Sequence, residues 1–198
     1  EILSGLVGSE MCIRDRISPQ AQEGFDLLLI RSLKASLPAA MEGSDIGITS
    51  EVSELVEQEA VVLTVSSYLF RLMVMIHFKQ DAQTMAYMAG MHEAAAADSD
   101  RQAFHDAIAE YGNLFCGILN RELGNYFPHI GMSTPNFLDG QCMSYIQMLN
   151  CSHIQHFAVS VDGAPLFHVS LCVSAYDDID FAVAEDEASA STGELELF

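Results

Sequence analysis

Asp106-Ala107-Ile108-Ala109-Glu110-Tyr111-Gly112-Asn113 is the stretch on which the reading of this chain turns. It lies inside the longest helical pattern, which runs from about Asp100 to Leu123. Phe104, Ile108, Tyr111, Phe115 and Ile118 recur with the 4-3-4-3 rhythm of a buried stripe. Asp106, Glu110, Asn113 and Gly117 keep the same rhythm on a second stripe. At about 100° per residue the two stripe centres are roughly 160° apart, so the polar one faces away from the core. Ser99 with Gln102 makes a capping-box pattern at the start of the helix. Gly112 and Gly117 each cost about 1 kcal/mol of helix propensity relative to Ala. On the polar stripe, Gly117 is useful if another backbone must approach closely.

Working outward, Ser18-Pro19 reads as an N-cap followed by proline at the first helical position. Phe25, Leu28, Leu29, Leu33 and Leu37 continue it as a helix over Pro19 to Leu37. Three strands are expected next, at Ile46–Leu55, Ala60–Ser66 and Phe70–Phe78, joined closely enough for an antiparallel meander. The third alternates cleanly, with Phe70, Leu72, Val74, Ile76 and Phe78 on one face. Gln80–Ala97, rich in Ala and Met, is helical by propensity. After the central helix, Ile130–Thr134 reads as a short strand ending at Pro135, and Leu138-Asp139-Gly140 as a turn. Strands follow at Met143–Leu149, Ile154–Val161 and Leu166–Ser174, the last two joined by the hairpin signal Asp162-Gly163. The fold class is therefore α/β (α+β). An antiparallel or mixed sheet of about six strands is flanked by three helices, in the order helix, three strands, two helices, three or four strands.

The chain has 198 residues, enough for one domain with a substantial core. Its formal charge of −20 argues against nucleic acid or an anionic membrane as partner and favours a basic or metal-bearing surface. Eight of the carboxylates lie between Asp177 and Phe198, where there is no Lys or Arg. Residues 176–198 are accordingly expected to form a solvated acidic tail, with Leu195, Leu197 and Phe198 as apolar residues able to dock. Residues 1–16, with Ser9-Glu10-Met11-Cys12-Ile13-Arg14-Asp15-Arg16, resemble translated sequencing-adapter read-through and stand outside the expected domain, 17–175. Five cysteines without a Cys-x-x-Cys read as buried free thiols in a reducing compartment. No apolar run reaches membrane-spanning length, and a cytoplasmic protein is the expectation.

Asp106, Glu110 and Asn113, with Pro135 separated from Asn113 by twenty-one residues, form the pattern Asp-x-x-x-Glu-x-x-Asn with a distant proline. This resembles the signature of the CheC/CheX family of chemotaxis phosphatases, one residue short in the last gap. The order of elements from Ser18 to Ser174 is also similar to the CheX type. Glu122-Leu123-Gly124-Asn125 is a second Glu-x-x-Asn, but it has Ile118 where Asp or Ser is expected. Gly124 should end the helix there, with Asn125 as its cap. The resemblance implies a hydrolase acting on the aspartyl phosphate of a phosphorylated CheY-like receiver domain in chemotaxis or two-component signalling. Asn113 would hold the attacking water, since a carboxamide both accepts and donates a hydrogen bond. Glu110 would pair with the receiver's active-site lysine. Asp106, Gly117 and Pro135 would serve partner binding or shape the helix surroundings. The resemblance implies no cofactor on this chain and Mg²⁺ on the receiver. Members of the family can pair through a sheet, which makes a homodimer a further expectation.

Two other readings stand beside it. One is a non-catalytic adaptor that binds a receiver or a motility component through the same helix face. The other is an unrelated structural protein with a chance motif, in which the polar stripe would be buried. His153, His156 and His168 do not make a recognisable metal set, because an i,i+3 pair in a strand points to opposite faces. Cys116 sits beside the buried stripe and reads as a core thiol. No Gly-rich phosphate loop, Gly-x-Ser-x-Gly or basic patch is present.

Overall fold

The computed structural model describes residues 16–37, 43–50, 55, 59–79, 81, 84, 101–161 and 163–184. Its elements are α1 (Pro19–Ser36), β1 (Asp45–Ile48), β2 (Glu59–Ser66), β3 (Phe70–Phe78) and α2 (Arg101–Gly124). They are followed by β4 (Gly131–Met132), β5 (Asn136–Asp139), a 3-10 helix (Gly140–Leu149), β6 (His153–Val161) and β7 (Ala164–Ala175). The helix expected at Gln80–Ala97 and the capping box at Ser99 lie almost wholly outside the described residues.

The seven strands make one sheet in the order β1-β6-β7-β3-β2-β4, with β5 also pairing β2 along that edge. Every strand pairing in it is antiparallel. The β6–β7 hairpin turns at Gly163, whose φ of +79° suits a residue without a Cβ. α1 begins where the Ser18 hydroxyl accepts the Ala21 N–H at 3.1 Å, and Pro19 opens its first turn. It packs against α2 over one sheet face, and the Ser36 hydroxyl meets the Tyr111 hydroxyl at 3.3 Å between the two helices.

Phe70, Leu72, Val74, Ile76 and Phe78 of β3 all enter this core, as their alternation requires. The opposite sheet face is covered as well. Met143 and Ile146 of the 3-10 helix pack with Leu55, Val62, Met75 and Cys172 in a second, smaller cluster. Met143–Leu149 is thus not the strand expected. Met143 and Ile146 are three residues apart, the repeat of a 3-10 helix, and both point to the sheet while Tyr145 and Met148 are exposed. The expected turn at Leu138-Asp139-Gly140 is instead the end of β5 and the start of that helix, capped where the Asp139 carboxylate accepts the Gln141 N–H at 2.9 Å.

The segment after β7 also departs from expectation. Residues 177–184 lie on the domain as a strap. Ile17 and Ile179 form a parallel bridge, and Ser18 N–H donates to the Ile179 carbonyl at 3.0 Å. The ring of Phe181 stands edge-on to Phe25 and Phe127, with centroids 5.0 Å away in each case. Gly24 makes room for it, since a Cβ there would be 2.9 Å from the Phe181 ring. The acidic composition masked the alternation of Ile179, Phe181 and Val183. Residues 185–198, with the apolar terminal residues, lie outside the described set.

On the second sheet face, Ser170 stands between two imidazoles, 2.9 Å from His77 Nε2 and 2.8 Å from His156 Nδ1. Burial, and then the nearby His156 and His168, push His77 down from 6.5 to about 3. The pH dependence follows. Below 6.5 the unfolded chain gains a proton at His77 that the folded chain refuses, so stability is retained above that pH and falls as acid is added. Between pH 7.5 and 5.5 this one group should remove about 1.4 kcal/mol. Urea unfolding of wild type and His77→Asn at the two pH values measures it. The variant should lose correspondingly less, and an equal loss would show that His77 is not responsible.

Candidate functional site

The outward stripe of α2 is where its helical period puts it. Asp106 and Glu110 are exposed, while Asn113 and Gly117 are half-buried. Phe104, Ile108, Tyr111 and Phe115 are buried on the opposite side. Ile118 is only half-buried, and Cys116 and Leu119 complete the buried face in its place. Burial raises the Cys116 thiol to about 12, which keeps it protonated and inert, a core residue.

Glu110 and Asn113 are three residues apart, hence neighbours on one helical face. Neither has a side-chain partner among the described residues. An exposed carboxylate and a half-buried carboxamide on one helix face, unspent on the fold, can meet another molecule. Asp106 is differently placed, because its Oδ1 accepts from Gln102 Nε2 at 2.8 Å one turn earlier. A Cβ at Gly117 would meet nothing within 4 Å among the described residues, so the stripe is open there. Gly112, on the sheet side, is the reverse. A Cβ there would be 3.0 Å from Leu63 Cδ1 and 3.2 Å from Val61 Cγ1. That close approach seats α2 on β2.

The same strand fixes the neighbouring edge. β4 and β5 both pair with β2, and Pro135 lies in the short link between them, half-buried. A residue without an N–H is tolerated at such an interruption of an edge. The expected strand at Ile130–Thr134 is only Gly131–Met132, closed by Ser133, whose N–H donates to the Thr64 carbonyl at 2.9 Å. Pro135 is therefore on the edge alongside α2, not on its outward stripe. The second Glu-x-x-Asn is at the helix end. Asn125 is not in the left-handed conformation of a cap; its N–H bonds to the Glu122 carbonyl at 3.2 Å in a tightened last turn.

Two features beside the site escaped the sequence reading. Leu114, next to Asn113, is 53% exposed, and Met132 on β4 is 37% exposed. Leu114 gives the polar stripe an apolar flank. An apolar residue off the buried stripe was the available signal. The other is an anchor at the start of α2. Arg101 pairs with Glu59 of β2, and His105 Nε2 is 2.7 Å from the second Glu59 oxygen. The His105 ring stacks on Phe137 of β5, with centroids 4.5 Å apart. Burial works to raise Glu59, but hydrogen bonds from His105 and Arg101 outweigh it and hold the carboxyl below its ordinary value. Three separate elements contribute, so no local spacing could show it.

Among the described residues, no group of three His, Cys, Asp or Glu side chains is arranged to hold a metal ion. Nor, among them, is any helix long and apolar enough to cross a membrane.

Helices α1 and α2 over one face of this antiparallel sheet are the fold of the CheC/CheX chemotaxis proteins. CheX from Vibrio vulnificus superposes with a TM-score of 0.54 at 14% identity, over 76% of this chain and 99% of its own. CheX in the CheX–CheY–BeF₃–Mg²⁺ complex from Borrelia burgdorferi gives 0.54 at 15% identity, over 76% and 96%. A CheC-like superfamily protein from Shewanella sp. PV-4 gives 0.54 at 13% identity, over 75% and 96%. No protein-family model matches the chain, and no curated protein matches it.

Proposed function

We propose that this chain is a phosphatase that hydrolyses the aspartyl phosphate of a CheY-like receiver domain. The observation that carries the reading is Glu110 and Asn113 three residues apart on the outward face of α2, with no side-chain partner among the described residues. The fold shared with CheX proteins, one of them crystallised with CheY, supports it.

In this reading Asn113 enters the receiver's phosphorylation site and holds a water on the line of attack. Its Oδ1 accepts one water proton while its Nδ2 can donate to a phosphoryl oxygen. A loose phosphoryl-transfer transition state needs positioning and charge stabilisation more than a strong base. Mg²⁺ bound by the receiver neutralises the phosphoryl oxygens. Glu110 pairs with a lysine of the receiver and fixes the register of α2 over the phosphate. Leu114, beside Asn113, excludes water from the rim of that contact. Asp106, held by Gln102, lines the docking face at the helix start.

The test is phosphate loss from a phosphorylated cognate receiver, with Mg²⁺, in the presence and absence of this protein. Acceleration is expected. Glu110→Ala should raise the half-saturating concentration by about tenfold, the loss of one charge-assisted contact. Binding without acceleration would select a non-catalytic adaptor. No binding to any receiver of the same organism would reject both readings.

A further inference from the structure

Arg121 carries the outward stripe of α2 one turn beyond Gly117. Eleven residues at about 100° each return the helix to within about 20° of Glu110, so the two lie on one face. At 1.5 Å per residue they are roughly 16 Å apart along the axis. Arg121 is exposed. Its place in the helix gives it no carboxylate to pair with, since Gly117 and Ile118 lie one turn before it and Gly124 and Asn125 one turn after. It has no side-chain partner elsewhere among the described residues. A Cβ at Gly124 would come no nearer than 3.9 Å to Ile130 Cδ1, and Gly117 is open as well. The guanidinium stands on a stretch of bare helix.

Other arginines of this chain are spent on the fold. Arg101, at the start of α2, is bound to Glu59, and Arg16 and Arg31 donate to the carbonyls of Tyr176 and Ala184. Arg121 joins no element to another among the described residues, in a chain with 28 Asp and Glu side chains against 8 Lys and Arg. Along the stripe, Asp106 and Glu110 make the N-terminal half acidic and Arg121 makes the C-terminal half basic. A surface of complementary pattern fits α2 in one direction. Turned end for end, it meets repulsion in place of attraction at both ends.

We propose that Arg121 is a docking residue that pairs with a carboxylate of the receiver, roughly 16 Å along α2 from the lysine that Glu110 meets. The inference rests on the phosphatase reading of the same helix face. In that reading Glu110 and Asn113 address the phosphorylation site itself. Arg121 reaches the surface outside it, and selects among receivers by whether a carboxylate stands there. A guanidinium suits the task, because its planar fork takes both oxygens of a carboxylate at once.

The experiment follows phosphate loss from a phosphorylated cognate receiver, with Mg²⁺, over a series of receiver concentrations. Arg121→Glu should raise the half-saturating concentration by about tenfold, and Arg121→Gln by about threefold. The effect should fall on half-saturation and not on the rate at saturation. Among single Asp→Lys and Glu→Lys changes on the receiver, outside its phosphorylation site, one should restore docking to Arg121→Glu while weakening docking to wild type. An unchanged half-saturating concentration for Arg121→Glu, with only Tm lowered, would leave the charge as a partner of the helix dipole and overturn the proposal. Weakened docking that no reversal on the receiver restores would overturn it too. Glu110→Ala separates the two readings. If it weakens docking and Arg121→Glu does not, the phosphatase reading stands and Arg121 has no part in it. A wild-type protein that neither binds nor dephosphorylates the receiver would reject both.

Discussion

Asn113→Ala is expected to remove most of the acceleration of receiver dephosphorylation, roughly a hundredfold, while the complex still forms. The magnitude is that of deleting one preorganised polar group at a reacting centre. The variant should fold normally. Asn113 is half-buried and bonds to no side chain among the described residues, so its removal should change stability by no more than about 0.5 kcal/mol. Single-turnover loss of phosphate at saturating protein isolates the chemical step, and a titration with phosphorylated receiver reports docking. Glu110→Ala should show the converse pattern, weaker docking with a smaller loss at saturation. If Asn113→Ala kept the wild-type rate at saturation, water positioning by this residue would be excluded.

Two glycines on the same helix should respond to one substitution in opposite ways. Gly112→Leu drives a side chain into Leu63 and Val61, where a Cβ alone already comes within 3.0 and 3.2 Å. Overpacking of that kind costs about 1–3 kcal/mol, and the gain in helix propensity returns only about 1. The branched side chain also tilts α2 away from β2, so the upper part of the range applies, and Tm should fall by roughly 4–8 °C. A Cβ at Gly117 would meet nothing within 4 Å among the described residues, so Gly117→Leu should hold or slightly raise Tm. It stands on the docking stripe, however, and should weaken receiver binding by about tenfold or more. Calorimetric melting and the receiver titration, run on both variants, give four readings. Unchanged receiver affinity for Gly117→Leu would remove the outward stripe as the contact surface.

Local signals carried much of this. Ser18-Pro19 marked the start of α1, the alternation of Phe70 to Phe78 marked β3 at its observed ends, and the two stripes of α2 oriented Glu110 and Asn113. Each of these depends on one periodicity within one element. The misreadings fall where partners from elsewhere decide. Asn136–Asp139 is a strand because β2 has an unfilled edge, and nothing in its own residues requires that. Met143–Leu149 bears a short apolar run whose period only the underlying sheet could select. The ion pairs of Glu59 with Arg101 and His105 join residues more than forty positions apart, and so left no trace in spacing.

The strap makes the domain a closed circuit. Ser18 and Asp180, 162 positions apart, share a hydrogen bond, so the contact spans nearly the whole folded chain. Joining such distant points costs more loop-closure entropy than forming the β6–β7 hairpin or the β2–β3 pair. The clasp should therefore be a late event in folding and an early one in unfolding, while α2 and its sheet remain assembled. Until it closes, Phe25 and Phe127 have no cover from Phe181, and a nascent chain presents that aromatic surface from the addition of Phe127 until Phe181 has been made and docked.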